Sequence, residues 1–265
     1  GAHGVRPLQE PALVEGTRRV PLQKRWWVTL GLTALALVPA YFAWRHYRAQ
    51  PKLPPGKIML VVLPFENLSG DPEQEYFSDG ITEEMTAQLA RLQPERLAVI
   101  GRATAMTYKG AKKTIDQIGT ELGVQYVLEG SVRRQGDRVR ITAQLVEVGD
   151  QTHVWAESYE RNLRDILALQ GDVARAIANE IQLKLTPQEQ ARLASARPIS
   201  PEVYELYVKG RFHWNQRTDV DVKKAIGYLE KAIEKDPTYA PAYAALSQAY
   251  DAGAYRATTF PNGKV

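Results

Sequence analysis

Few residues in this chain could carry chemistry, and their spacing removes most of the reactions they bring to mind. The four histidines, His3, His46, His153 and His213, stand too far apart for any two to share a metal ion. There is no cysteine, hence no thiolate ligand, thiol nucleophile or disulfide. No Gly-x-Ser-x-Gly elbow is present. The segment Gly110, Ala111, Lys112, Lys113, Thr114 resembles the end of a phosphate loop but lacks the glycine that should precede Gly-Lys-Ser/Thr. It reads as a solvated loop before a helix cap. Asp71, Glu73, Glu75 and Asp79 space their carboxylates like a calcium loop, yet Tyr76 stands where the sharp turn needs glycine. Acid at the start of a helix is stabilised by the helix dipole without any ion. Arg133, Arg134, Arg138 and Arg140 surround a hairpin tip, where they could grip an anionic partner or form a charged edge that blocks sheet-to-sheet aggregation. The expectation is a fragment with no catalytic residue, no cofactor and no metal site, which works by binding.

Those residues need elements to position them. Ile58 to Phe65 is a continuous apolar run of strand length, with Pro64 at its exit, and suits a strand buried on both faces. From Tyr76 to Leu92, Phe77, Ile81, Met85, Leu89 and Leu92 recur at helical spacing and should cover that strand. Leu97 to Ile100 is a second strand. Thr114 and Gln117 have capping-box spacing, Ile115, Ile118 and Leu122 form a stripe, and Gly123 is the expected left-handed stop. Val124 to Val132 follows as a third strand, so strands and helices alternate and imply an α/β layered fold. Val139, Ile141, Ala143 and Leu145 then alternate with Arg138, Arg140, Thr142 and Gln144, one face buried and one wet. Gly149 and Asp150 read as a two-residue hairpin connection to an antiparallel strand from Thr152 to Tyr159. Asn162 can cap a helix whose stripe is Ile166, Leu169, Val173, Ile177, Ile181 and Leu185.

Beyond Thr186, Pro187 and Glu189, which restart a helix, Pro198 and Pro201 introduce an all-α segment. Ala225, Leu229, Ala232 and Pro237 have the spacing of the second half of a tetratricopeptide repeat, and Tyr243, Leu246, Ser247 and Tyr250 fit the first half of the next. Gln248 and Asp251, one residue beyond the packing positions Ser247 and Tyr250, would then face the inner surface of the array and bind a protein or peptide.

The run from Trp26 to Trp44 has no charged side chain and, as a helix, would be about 28 Å long, close to the hydrocarbon thickness of a bilayer. Trp26, Trp27, Tyr41 and Trp44 would sit at its two interfaces, and basic residues flank both ends evenly, so charge does not orient it. A membrane anchor is expected; a secretory signal cleaved after Val38, Pro39 and Ala40 is the alternative. The expected organisation is a linker from an upstream domain over 1–23, a transmembrane helix with flanks over 24–48, an α/β domain over 57–186 and a truncated repeat region over 187–265. With 44% hydrophobic residues and a formal charge of +4, the chain can bury a core and does not by itself call for nucleic acid.

The stretches LVVLPFENLSGDPEQEYFSDGITEEM, YKGAKKTIDQIGTELGVQYVLEGSVRRQGDRVRITAQLVEV and THVWAESYERNLRDILALQGDVARAIANEI resemble the TolB-like amino-terminal domain of bacterial regulators, from Met59 to Ile181. The resemblance implies a single membrane span before the domain, repeats after it, and an upstream winged-helix, kinase or cyclase domain, through which alone nucleic acid would be a partner. It implies a bacterial inner-membrane protein, single-pass, with its carboxyl-terminal part in the periplasm, acting as a binding and signal-relay module. The alternative is the sensor half of a receptor-type Ser/Thr kinase or adenylate cyclase. The family offers no catalytic residues to carry over.

Overall fold

The computed structural model describes residues 56–195 and 197–259, with side chains described as far as Asp251. Its centre is β1 (Ile58–Val62), an apolar strand with both faces covered. Leu60 and Val62 enter one core with α1 (Glu75–Ala90), while Val61 and Leu63 enter another on the opposite face. β1 pairs in parallel with β3 (Leu97–Val99) on one side and with β4 (Tyr126–Gln135) on the other. β4 continues antiparallel to β5 (Arg138–Glu147), and β5 to β6 (Thr152–Asn162), giving the order β3-β1-β4-β5-β6. The short β2 (Glu66–Asn67) lies parallel to β4 beyond the end of β1.

The helical stripe read from the sequence is the buried face of α1: Phe77, Ile81, Met85 and Leu89 are all at most 1% exposed. Each such side chain contributes about 1.5–3 kcal/mol when fully buried, so a charged residue at Ile81 would break the seam between α1 and the sheet. The other layer holds the short α2 (Arg102–Ala105) and α3 (Ile115–Leu122). As its sequence indicates, α3 opens with the Thr114–Gln117 capping box and stops at Gly123, which sits at φ +64°, a conformation that costs other residues more than glycine.

Two details of the hairpin differ from the sequence reading. The β5–β6 connection runs over residues 148–151, with Gln151 rather than glycine in the left-handed region, and the Asp150 carboxylate accepts from Thr152 N at 3.0 Å and Thr152 Oγ1 at 2.7 Å. A register shift at Leu145/Val146 absorbs the longer connection. After β6, α4 (Ile166–Glu180) returns over the sheet with Ile166, Leu169, Val173 and Ile177 fully buried. It ends five residues before the stripe does; Leu183 is buried in the stretch that follows, and Leu185 packs partly buried against the same core.

α5 (Pro187–Ala194) carries the Thr186–Glu189 capping box. α6 (Pro201–Gln216), α7 (Asp219–Lys235) and α8 (Ala240–Thr259) follow. α6 packs directly on α1, so Val203, Tyr204, Tyr207 and Val208 belong to the same core as the sheet. In α7, Ala225, Leu229 and Ala232 are buried as their spacing requires. In α8 the buried positions are Ala242, Ala245 and Ala249, whereas Tyr243, Ser247 and Tyr250 are exposed. The described contact of α8 runs through Ala242, Ala245 and Ala249, with Leu246 partly buried against the same core, and a tetratricopeptide segment is not shown.

The architecture expected from the sequence needs a larger correction. What is observed is a mixed α/β sheet with helices, and among the described residues no helix is long and apolar enough to cross a membrane. The single-pass inner-membrane placement with a periplasmic carboxyl-terminal part is not supported by any described helix. The run 26–44, with Trp26, Trp27, Tyr41 and Trp44, on which the membrane and bilayer contacts rested, lies outside the described residues.

Candidate functional site

Strand alternation decides which side chains can meet a partner. On β5, Val139, Ile141, Ala143 and Leu145 are fully buried under α1 and α4, so Arg138, Arg140, Thr142 and Gln144 point the opposite way. Pairing places Gln135, Arg133, Ser131 and Glu129 of β4 beside them, and Asn162, Glu160, Ser158 and Ala156 of β6 on the far side. The layer built by α2 and α3 covers this outer face only near β1, where Val61, Ala105, Ile118 and Val127 pack together. Among the described residues no helix covers the outer face of the three antiparallel strands beyond Val127, and apart from Ala156 its side chains are polar.

At the covered end of that face lies a cleft of about 390 Å³ between the sheet and the 108–113 loop, lined among others by Glu66, Leu68, Tyr108, Glu129, Ser131 and Gln144. It sits past the carboxyl end of β1, beside the short β2 that pairs with β4 at Ser131 and Val132. The basic residues of its wall are already engaged. Lys109 Nζ lies 2.6 Å from Glu75 and 2.5 Å from Asp79, and Lys113 binds Glu121, which also accepts from Tyr108 Oη at 2.8 Å. Burial works against the charge of Lys109, but the hydrogen bonds to Asp79 and Glu75 outweigh it and hold its pKa above the usual lysine value. By contrast Glu66 and Glu129 have no ion-pair partner among the described residues.

At the open end lies a second depression of about 400 Å³, lined by Arg133, Gln135, Arg138, Arg140 and Glu160. Glu160 binds both Arg138 and Arg140, the latter through Nε at 3.2 Å and Nη2 at 2.7 Å. These bonds hold the Glu160 carboxyl below the usual carboxylate range. Among the described residues Arg133 donates to the Leu68 carbonyl, at 3.2 Å. Between the two depressions runs the row Ser131, Thr142 and Ser158, in which Ser131 belongs to the cleft wall and Thr142 and Ser158 share a hydroxyl hydrogen bond at 2.9 Å.

The structure therefore splits the arginine cluster. Arg133, Arg138 and Arg140 share the outer face, but Arg134, one residue on from Arg133, points through to α6. It donates to Glu205 at 3.0 Å and to Tyr76 Oη at 3.3 Å, and lies over the Phe77 ring at 5.2 Å. Glu205 resists ionisation through burial, yet its bonds from Lys209 and Arg134 pull its pKa down to about 2. Gln248 does not face an empty surface: its side chain accepts from Arg211 at 2.8 Å and its carbonyl from Trp214 at 3.3 Å, tying α8 to α6. Asp251 is exposed, and neither residue lines the cleft. Of the acidic cluster, Asp71 caps a short 3-10 turn while Glu75 and Asp79 hold Lys109. His213 hydrogen-bonds Asp221 at 2.9 Å and stacks on Tyr228. Among the described residues no group of three or more His, Cys, Asp or Glu could hold a metal ion.

Sequence reasoning missed Glu66 and Glu129, the acidic end of the groove. Glu129 was legible in principle, since counting by two from Arg133 along β4 reaches it; Glu66 was not, because only the parallel pairing of β2 with β4 brings it there.

The chain is similar to several known proteins. Residues 56–176 match the family described as HilA/YgeH-like transcriptional regulator, second domain. A protein of Rhizobium meliloti (strain 1021) named "Putative adenylate cyclase 3" is 44% identical over 197 residues, which is 74% of this chain and 33% of that protein. The chain thus spans about a third of the length of the curated relative it matches. Similar solved structures include TolB from Acinetobacter baumannii (TM-score 0.35, 16% identity, 50% of this chain and 30% of that one) and the LpoB C-terminal domain from Salmonella enterica (TM-score 0.32, 16% identity, 44% and 91%).

Proposed function

We propose that this chain is a non-catalytic regulatory module that docks a protein partner on the outer face of β4, β5 and β6. The observation that carries this reading is the face itself: three antiparallel strands with one side packed and the other left largely polar, uncovered among the described residues and joined to the cleft past the end of β1. Its side chains are hydrogen-bonding and charged groups spread over three strands, able to pair with complementary groups of a partner. None of them forms a nucleophile–base pair within hydrogen-bond reach. The matched regulator domain and the cyclase-named relative support a regulatory role. A second reading, that the module serves as the sensing part of an adenylate cyclase, is favoured by the 44% identity to that relative.

Two measurements test the proposal. A photo-crosslinking residue at Thr142 or Ser158 should give discrete adducts with one protein, and the same residue at the exposed Lys231 of α7 should not. Equal adduct patterns at the two places would overturn docking on the sheet. Incubation of the chain with ATP and a divalent cation should yield no cyclic AMP above a heat-inactivated control, and formation of cyclic AMP would overturn the non-catalytic reading.

A further inference from the structure

The outer face is electrically polarised, and its polarity specifies what it binds. At the open end three guanidinium groups, Arg133, Arg138 and Arg140, face one carboxylate, Glu160, which leaves a local excess of positive charge. Glu160 shows how that end works: its carboxylate lies between Arg138 and Arg140 and accepts from both, so these two side chains are already arranged around a carboxylate. Arg133 completes the ring without a carboxylate of its own among the described residues. At the cleft end the sign reverses. Glu66 and Glu129 line the cavity, and the lysines of its wall are held by Glu75, Asp79 and Glu121, so they do not neutralise them.

We infer that the face recognises an extended protein segment of mixed charge, with acidic side chains at Arg133, Arg138 and Arg140 and a basic side chain at Glu66 and Glu129. This rests on the docking reading above and adds the chemistry of the partner. From Arg138 to Gln144, the neighbour of Glu129, the strand advances about 20 Å at ~3.4 Å per residue, the reach of six or seven extended residues. An extended segment presents every second side chain to the sheet, so acids two apart match Arg138 and Arg140, and a base some six residues on reaches the cleft. The uncharged row of Ser131, Thr142 and Ser158 between the ends offers hydroxyl groups to the middle of such a segment. A polyanion such as nucleic acid or an anionic lipid surface fits less well, because the acidic end repels whatever continues past the arginines.

The test uses fluorescein-labelled peptides and the full chain, with affinity read by anisotropy at low salt. The mixed peptide Asp-Thr-Asp-Thr-Ser-Thr-Lys-Thr-Lys should bind about tenfold or more tighter than the all-acidic Asp-Thr-Asp-Thr-Ser-Thr-Asp-Thr-Asp, the added rim pairs being individually weak. Arg138→Glu with Arg140→Glu should abolish binding of the mixed peptide. Glu66→Lys with Glu129→Lys should invert the preference, so that the all-acidic peptide and a dT oligonucleotide now bind best; a gain of binding cannot come from misfolding. Tighter binding of the all-acidic peptide or the oligonucleotide to the unmodified protein would overturn the inference, as would failure of the mixed peptide to bind. Crosslinks at Thr142 alongside failure of the mixed peptide would sink the charge assignment and leave docking in place, whereas equal adduct patterns at Thr142 and Lys231 would sink docking itself.

Discussion

Replacing Tyr204 by phenylalanine tests whether α6 is part of the same folding unit as the sheet. Tyr204 is fully buried on α6, its ring edge-on to Phe77 of α1 at 6.0 Å, and its hydroxyl accepts from Gln170 Nε2 of α4 at 3.0 Å. Burial pushes the pKa of that hydroxyl well above its usual value, so it stays neutral at every working pH. Phenylalanine keeps the ring and its packing and removes one atom. What is left behind is the Gln170 amide, itself 0% exposed, whose other contact is through Oε1 to Gln88 at 3.5 Å. A buried donor without a partner costs about 1–3 kcal/mol. For a folded unit of this size 1 kcal/mol moves the melting temperature by about 2–4 °C, so the expected drop is about 2–12 °C. The double variant Tyr204→Phe with Gln170→Leu removes both partners and should recover most of the loss.

The assay is thermal and urea unfolding of the full chain, followed by far-ultraviolet circular dichroism and by tryptophan fluorescence. Trp155 on β6 and Trp214 on α6 report from the two parts. A Tyr204→Phe variant within about 0.5 kcal/mol of the parent, the scatter of surface substitutions, would refute the reasoning. So would two separate transitions, because they would mean that the helices beyond α5 melt without the sheet.

The remaining expectations use the same contacts. Gly80→Ala on α1 should cost about 1–3 kcal/mol, since its Cβ would lie 2.9 Å from Val208 Cγ1 and the β-branched valine has little room to turn; adding Val208→Ala should restore part of it in urea melts. Glu205 has a folded pKa lowered to about 2, so its contribution to stability is present above the unfolded carboxylate value near 4.3 and is lost as pH falls toward 2. The stability gap between the parent and Glu205→Gln should therefore narrow over that window, and a constant gap would refute the ion-pair account. Glu84 is shifted the other way, chiefly by burial against the bond it accepts from Tyr207 at 2.6 Å, so it favours folding less as pH rises past its unfolded value; Glu84→Gln should lose less stability at pH 7 than Glu205→Gln. Arg138→Ala, which removes one exposed partner of Glu160, should leave the melting temperature unchanged within error.

Local rules carried much of the fold. The α1 stripe, the two capping boxes, the Gly123 stop and the alternation of β5 are settled by neighbours within a few residues, and each is where the sequence places it. What failed depends on distant partners. The tetratricopeptide spacing in α8 was sound as a pattern, but which residues of a helix turn inward depends on the neighbouring helix, and α7 receives Ala242, Ala245 and Ala249. Gln248 was expected on the inner surface because it lies one residue beyond the packing position Ser247; the side chain it meets, Arg211, is 37 residues away on α6. The contact of α6 with α1 was equally out of reach, since Tyr207 meets Glu84 across a separation of 123 residues.

The arginine cluster shows how the two kinds of information combine. Four arginines within eight residues look like one site, yet a strand turns neighbours to opposite faces, so Arg133 and Arg134 cannot act together. One of them meets the wet face and the other is enclosed between Phe77, Tyr76 and Glu205. A block substitution of all four would lower stability through Arg134 and lower binding through the other three, and the two losses could not be separated. Substituting Arg133, Arg138 and Arg140 while keeping Arg134 removes charge from the docking face and leaves the link from β4 to α6 intact. Any binding lost in that triple variant belongs to the outer face alone.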